Sequence, residues 1–576
     1  MNVHPASLCS VPHPSVARGG RRRARCLAAL CAAAVWLAPM PAAWAQVRLP
    51  SMGESVSVGM PLGSERRLGD QIWAEVRRDT SYLDDPVLWS YLQSLWQPLV
   101  RAAKRKGDIG DDMAAQFAWE AFLIRDRSIN AFALPGGYVG MHLGLMAATN
   151  HRDELVSVVA HELAHVTQRH IARSIESSGR QSAIGMAAML LGLIAASRSG
   201  NVDAAQAAVA TGQAAMIQGQ LNFSRDMERE ADRLGQALMT DAGFLPSGMP
   251  SMFEKLDMAS RLNDAGQFPY LRSHPLTSDR ISEAQLRAGL GAERGFRADP
   301  EHDLMRARAR VLMDPGIAAL QQHVQLLQAA PTARAVPLPT VYAAALAAVQ
   351  LKDAGTLRQS FVRWLPHANE ATDPAVQRWM RLLWVEAELA LPGTLSVLPD
   401  AARWLSPLGT PATWQRAEMA IWGRQALQPV APATATPTAH FSLADVQQAL
   451  RAWLIANPGD GTLWELLSQT EAARGNRLGM MRATAEAQLA AGRPDTAMVT
   501  LQAARQGARN QPDADPVELA VIDTRLAELR KARRELQAER GGRVGDRRDD
   551  RREDLHGSRF ANRPGAEPAP RQNSRN

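Results

Sequence analysis

Val159-Ala160-His161-Glu162-Leu163-Ala164-His165-Val166 is the stretch on which the reading of this chain turns. Side chains four residues apart share one face of an α-helix. His161 and His165 can therefore offer two imidazole nitrogens to one zinc ion, and Glu162 beside them can take the proton of an attacking water. The flanking Val158, Val159, Leu163, Ala164 and Val166 are apolar, as a helix buried beneath a catalytic cleft requires. Two histidines at this spacing also occur on ordinary core or surface helices. What separates a site from that alternative is a third ligand, because hydrolytic zinc takes three protein ligands and keeps one position open.

Two arrangements of a third ligand are absent. There is no His-x-x-Glu-His. A third histidine ten residues after the first would stand where Ile171 is, with a glycine in place of Gln168. His170 lies five residues past His165, off the shared face, and reads as structural or exposed. Downstream, Glu228-Arg229-Glu230-Ala231-Asp232 offers a better solution. Glu228 and Asp232 share a helix face, so Glu228 can ligate while Asp232 accepts the other ring N–H of a ligating histidine, His161, and fixes its tautomer. Glu230 lies on another side and cannot take Glu228's part. Alone, so charged a stretch reads as a solvated face; paired with the upstream motif it reads as metal-binding, with one Zn(2+) per chain.

These residues carry a resemblance. Leu68-Gly69-Asp70-Gln71-Ile72, Asp84-Asp85-Pro86, Asn130 to Gly137, His161 to His165, Ser224-Arg225-Asp226 through Asp232, and His274-Pro275 together look like the zinc metallopeptidase family of the CAAX-prenyl endopeptidases and HtpX-type heat-shock proteases. More narrowly the chain resembles that family's periplasmic branch with a C-terminal tetratricopeptide (TPR) domain. The likeness is strong over about residues 65–285 and only architectural beyond. It implies a gluzincin fold with Glu228 as third ligand. It also implies that Asn130, Ala131, Phe132, Ala133, Leu134, Pro135, Gly136 and Gly137 form a strand that pairs with an extended substrate through main-chain bonds. The family-like His-Pro segment adds two candidates. His274 could approach the metal's open position, or bind an oxyanion together with Arg280; a helix-start histidine near the surface is the alternative.

Upstream, Arg18, Arg21, Arg22, Arg23 and Arg25 form a basic segment, Leu27–Met40 is apolar, and Ala43-Trp44-Ala45 is a small-x-small site. This reads as a signal peptide over 1–45, cleaved before Gln46. The alternative, a membrane anchor, asks too much of so short an apolar run. Removing these five arginines from 65 Lys+Arg leaves 60 against 58 Asp+Glu, so charge gives no case for nucleic acid. All three cysteines (Cys9, Cys26, Cys31) fall in the same segment, which excludes a disulfide framework and thiol chemistry from the remainder.

Outward from the motif, the fold class expected is mainly α with a small β-sheet: a metallopeptidase domain over 46–295 followed by TPR-like helices. Helical spacing runs from Leu68 to Lys106, with Asp84-Asp85-Pro86 as a helix start. Trp119–Ile124 reads as a strand, and Asn130–Val139 as two strands joined at Pro135-Gly136-Gly137. Met141 to Ala148 begins a helical stretch and Asp153 opens a long helix through Ser174. Ala183–Ala196 and Val202–Gln218 read as small-residue helices, the first a candidate for peripheral membrane contact. Ser224 reads as an N-cap. Helical regions are expected over 300–427 and 441–540, divided by a Pro/Ala/Thr linker at 428–440. In the second region Trp464, Leu467, Gly475, Gly492, Ala497, Leu501 and Ala504 fit parts of the TPR spacing. Residues 541–576 read as a disordered charged tail.

The function expected is a periplasmic endopeptidase acting on unfolded or misassembled envelope proteins, in quality control or assembly of outer-membrane proteins. The TPR-like half would recruit substrates or the outer-membrane assembly machinery. A competing reading is a chaperone or scaffold for that assembly with a latent metal site. A zinc hydrolase acting on something other than peptide is a third, weakened by the substrate strand the resemblance implies.

Overall fold

The computed structural model describes residues 60–178, 224–262, 269–289, 298–329, 336–370, 373–428, 441–509 and 514–535. The expected signal peptide, the helices at 183–196 and 202–218, nearly all of the linker and the 541–576 tail lie outside them.

The chain is mainly α-helical with one small sheet, as its periodicity implies. It begins with α1 (Leu62–Arg78), β1 (Tyr82–Leu83) and α2 (Pro86–Lys106). The helix start expected at Asp84-Asp85-Pro86 is where α2 begins, and the two-residue strand β1 lies just before it within the stretch of helical spacing. Asp85 caps α2, its carboxylate accepting from Leu88 N at 2.8 Å, and Pro86 takes the first turn. A short α3 (Asp111–Gln116) precedes β2 (Glu120–Ile124), β3 (Ala131–Leu134) and β4 (Tyr138–His142). The sheet order is β1-β2-β4-β3, with β2 and β4 parallel and the other pairs antiparallel. The β3–β4 hairpin therefore inserts its second strand and leaves β3 at an edge.

Side-chain alternation sorts the sheet into layers. Phe122, Ile124, Leu134 and Tyr138 pack on Ile72, Trp73 and Val76 of α1. Ala121, Leu123, Ala131, Ala133, Val139 and Met141 face the main core with α2 and the motif helix. Gly140 sits between Phe122 and Phe132, where an added Cβ would lie 2.8 and 2.4 Å from their rings. Gly136 and Gly137 turn the hairpin at φ +77 and +94, a region disfavoured for other residues.

β4 runs on to His142, so the next helix, α4 (Leu143–Ala148), starts two residues later than the periodicity suggests. α5 (Arg152–Thr167) carries the motif and is buried on all sides. The expected single helix through Ser174 is interrupted: Arg169 adopts φ +52, and α6 (His170–Ser178) leaves in a new direction. The Arg169 guanidinium holds this break by donating to the buried Glu65 carboxylate at 2.9 Å and to the Met60 carbonyl.

α7 (Arg225–Asp241) starts at Ser224, whose hydroxyl accepts from Met227 N. It crosses α5 at Gly235, where a Cβ would stand 2.9 Å from His161 N. α8 (Gly248–Leu262) is tied to α5 by Lys255, which donates to Glu154 at 2.6 Å. Then come α9 (Pro269–Ser273) and α10 (Ser278–Ala288).

The rest is helical. α11 (Pro300–Met313) packs against α2 and α4, and its buried His302 joins Tyr91 and Thr149. α12 (Ile317–Gln328), α13 (Leu338–Leu351), α14 (Ala354–Glu370), α15 (Pro374–Ala390), α16 (Ala401–Trp404) and α17 (Arg416–Ala426) follow. Trp364, Trp384 and Trp404 form their aromatic centre. α18 (Leu443–Ala456), α19 (Gly461–Ala473), α20 (Arg477–Ala490) and α21 (Pro494–Ala508) then pack side by side, with Gly475 and Gly492 at positive φ in the turns. Ala497, Leu501 and Ala504 are buried together against Ile522 and Leu526 of a helix over 516–535. None of the described helices is long and apolar enough to cross a membrane.

Candidate metal centre

The close crossing at Gly235 brings the α7 carboxylates over the α5 histidines. His161, Glu162, His165, Glu228, Asp232, His274 and Arg280 are each at most 3% exposed, so every charge here must be met by another protein group or a bound ion. His161 Nε2 lies 2.9 Å from His165 Nε2 and 3.3 Å from His274 Nδ1. Glu228 closes the set: Oε1 is 2.9 Å from His274 Nδ1 and 3.4 Å from His165 Nε2, and Oε2 is 3.5 Å from His161 Nε2. Four donors converge, three imidazoles and one carboxylate.

The chemistry of these donors fits zinc. Bonds of about 2.0–2.1 Å in a tetrahedron put the ligand atoms about 3.3 Å apart, and the separations here are 2.9–3.5 Å. Two Nε2 atoms facing each other share one proton between them in a hydrogen bond; a cation is met by both lone pairs. Glu162 adds a second sign. Both its carboxylate oxygens are buried without a hydrogen-bond donor, and His274 Nε2 approaches Oε1 only to 3.5 Å. Such a carboxylate is costly unless a water or ion beside it completes the arrangement.

The electrostatics follow from burial and from which nitrogen meets which acid. Burial holds His165 well below its ordinary value, hence neutral, the form that can ligate. Burial would also lower His161, but Asp232 and Glu228 outweigh it and raise it to about 10. Burial would raise Glu228, yet the surrounding imidazoles hold it well below the usual carboxylate range. Asp232 Oδ1 sits 2.9 Å from His161 Nδ1, the position from which a carboxylate sets a ligating ring's tautomer.

The other expected residues fall in several places. The His274 ring stacks on Tyr270 with centroids 4.7 Å apart, inside the cluster rather than at the surface. Arg280 is engaged throughout: Nε and Nη2 donate to Asp232 at 2.7 and 2.9 Å, and Nη1 donates to the Pro275 carbonyl at 2.7 Å and lies 2.8 Å from Glu228. Its donors face the acids of α7. Asn130 precedes β3, its carbonyl accepting from His142 N. Ala131, Phe132, Ala133 and Leu134 form β3, and among the described residues no strand pairs with its outer edge. Pro135 and Gly136 are covered by α1, where Gly69 approaches the Pro135 carbonyl and Gly136 rests on Arg66, and Gly137 packs against Phe117, Ala118 and Trp119. They are committed to internal contacts.

Three contributors escape sequence reasoning. His170 turns back on the site, with Nδ1 2.8 Å from His165 Nδ1, because the helix breaks before it. Tyr270 lies one helical turn before His274, an aromatic spacing that could have drawn notice. Gly235, three residues after Asp232, marks the crossing; a glycine inside a helical pattern is the available signal.

The comparisons agree with this geometry. The model of peptidase family M48 matches residues 90–288, a span containing every member of the cluster. The chain carries a peptidase family M48 domain. The beta-barrel assembly-enhancing protease of Escherichia coli K12 is 28% identical over 495 residues, 84% of this chain and 91% of that protein. A provisionally named beta-barrel assembly-enhancing protease of Vibrio cholerae serotype O1 is 38% identical over 288 residues, 50% of this chain and only 56% of that protein. The mitochondrial metalloendopeptidase OMA1 of Schizosaccharomyces pombe is 33% identical over 168 residues, 29% of this chain and 46% of that protein. The enzyme class that follows for the M48 domain is zinc metalloendopeptidase.

Proposed function

We propose that this chain is a periplasmic endopeptidase that cuts unfolded or misassembled envelope proteins during quality control or assembly of outer-membrane proteins. The names of the E. coli and V. cholerae relatives support the process. The observation that carries the chemistry is the buried donor cluster with the Glu162 carboxylate beside it.

In this reading His161, His165 and Glu228 hold one zinc ion per chain, and Asp232 orients His161. When bound, the metal supplies Lewis-acid polarisation of the scissile carbonyl. The Glu162 carboxylate takes the proton of the attacking water and returns it to the nitrogen of the leaving amine. The outer edge of β3 receives an extended substrate through main-chain bonds, which suits varied unfolded sequences. The helical region recruits substrates or outer-membrane assembly machinery.

One observation favours a second reading. His274 supplies a fourth donor, and four protein ligands describe a closed site rather than an open one. The conformation is then a resting state from which His274 must withdraw, or the metal site is latent and the protein is a chaperone or scaffold.

Zinc content and casein cleavage, measured on the protein beside Glu162→Gln and His274→Ala, separate these. Near-stoichiometric zinc in all three is expected, with cleavage lost in Glu162→Gln and increased in His274→Ala. Full activity in Glu162→Gln refutes the assignment of the base. Zinc in all three with cleavage in none puts the scaffold reading first.

A further inference from the structure

The two motif histidines are supported differently on the side away from the donor cluster. His161 Nδ1 faces a carboxylate directly, at 2.9 Å from Asp232. His165 Nδ1 faces another imidazole, at 2.8 Å from His170 Nδ1, and His170 Nε2 lies 3.1 Å from Glu230 Oε2. Glu230 in turn is paired with Arg173 at 3.2 Å. His165 and His170 are wholly buried, while Glu230 reaches the protein surface.

The proton positions along this line follow from one condition. A His165 ring that offers its Nε2 lone pair to a metal carries its proton on Nδ1. That N–H donates to His170 Nδ1, which must then present a lone pair. His170 therefore carries its own proton on Nε2, where the Glu230 carboxylate accepts it. Each site has one proton and one lone pair, and no other neutral arrangement satisfies both contacts.

We propose that His170 is a positioning residue for the metal centre: it passes the orienting effect of the Glu230 carboxylate through its own ring to His165 and holds His165 in the ligating tautomer. Glu230, on the side of α7 opposite Glu228, thereby serves the same centre without touching the metal. The break at Arg169 is what permits this, since a continued α5 would carry the residue at 170 away from His165. The inference rests on the reading of His165 as a metal ligand.

The test is zinc affinity by competition with a chromophoric chelator, with the visible spectrum of the cobalt(II)-substituted protein as second readout. Near-stoichiometric zinc in the unsubstituted protein secures the reading beneath the proposal, and its absence removes both. Two substitutions then separate relay from packing. His170→Gln keeps an acceptor for His165 and a donor for Glu230; His170→Met keeps much of the volume and neither function. His170→Met is expected to weaken zinc roughly 10–100-fold and to alter the cobalt bands, while His170→Gln stays close to the unsubstituted protein. Equal affinity in His170→Met and the unsubstituted protein overturns the proposal, and so does a His170→Gln as weak as His170→Met. Should His170→Met fail to fold, Glu230→Ala replaces it: lower zinc affinity supports the relay and unchanged affinity overturns it.

Discussion

Replacing Arg280 by Met should destabilise the metal-free protein before it touches chemistry. The guanidinium makes two hydrogen bonds to Asp232, at 2.7 and 2.9 Å, one to the Pro275 carbonyl at 2.7 Å, and lies 2.8 Å from Glu228. Asp232 and Glu228 are 1% and 2% exposed, so water cannot take the arginine's place. Removing one partner of a buried ion pair costs about 3–5 kcal/mol, because the other charge stays buried. At roughly 2–4 °C per kcal/mol for a unit of 150–250 residues, the midpoint should fall by about 10 °C. Differential scanning fluorimetry in excess chelator is the assay, since bound zinc would add its own stabilisation. The pH dependence carries a sign. Burial pushes Asp232 up, but Arg280 and His161 hold it below its ordinary value. Its contribution is therefore present above the ordinary carboxylate range and lost as pH falls through the depressed native value. Without Arg280 the carboxyl protonates at higher pH, and the acid limb of the stability curve should move upward. Unchanged midpoint and zinc affinity with a reduced kcat would refute this and restore Arg280 as an oxyanion-binding group.

Two further substitutions test how the site is assembled. Gly235→Ala places a Cβ 2.9 Å from His161 N and 3.0 Å from the Ala160 carbonyl; overpacking of about 1–3 kcal/mol should outweigh the roughly 1 kcal/mol gain in helix propensity, and a zinc titration should show weaker binding as α7 is pushed off α5. Arg169→Ala and Arg169→Gly both strip the buried Glu65 of its partner, but only glycine tolerates φ +52 without strain. Urea unfolding should find Arg169→Gly the more stable by about 1 kcal/mol, and the reverse order would show that the left-handed residue is not what Arg169 contributes to the break.

Local rules explain what the sequence made legible. The i,i+4 spacing of His161 with His165 and of Glu228 with Asp232 survives any fold in which those segments are helical. Asp85-Pro86 and Ser224 cap helices through their own next turn, and Pro135-Gly136-Gly137 turns a hairpin through positive φ. What stayed hidden depends on contacts between segments. Arg169 leaves the helical region because Glu65, 104 residues earlier, and the Met60 carbonyl receive its guanidinium. No periodicity around 169 records that, so His170 reads as pointing away when it points back. Along the chain, Arg280 reads as a partner of His274 in binding an oxyanion. Its neighbours in space are Asp232 and Glu228, which a pass along the chain cannot place. The β1 strand is two residues long and exists because Leu83 pairs with Leu123 and Tyr82 with Ile124, too little for an alternation pattern.

The joint between the M48 domain and the helical region obeys the same physics. Asp84 and Asp85 lie between β1 and α2, and each takes an arginine from far along the chain. Asp85 caps α2 and receives two hydrogen bonds from Arg308 at 2.6 and 2.8 Å; Glu386 and the Tyr342 hydroxyl share the same guanidinium. Asp84 receives Arg416 at 2.6 Å and the Thr462 hydroxyl, while Arg416 also bonds Asp460 and stacks over Trp89. Both arginines are nearly or wholly buried, so separating the two parts would leave Asp85 or Arg416 stranded in an apolar setting, a far greater cost than breaking surface pairs. β1 is the sheet edge opposite β3. The helical region is thus fastened beside the edge that carries no proposed chemistry, through the helix whose Gln93 and Trp96 bond the carbonyls of Ala121 and Trp119. Fastening at β1 leaves the outer edge of β3, beside α5, without a partner strand among the described residues, the arrangement that the proposed pairing with an extended substrate requires.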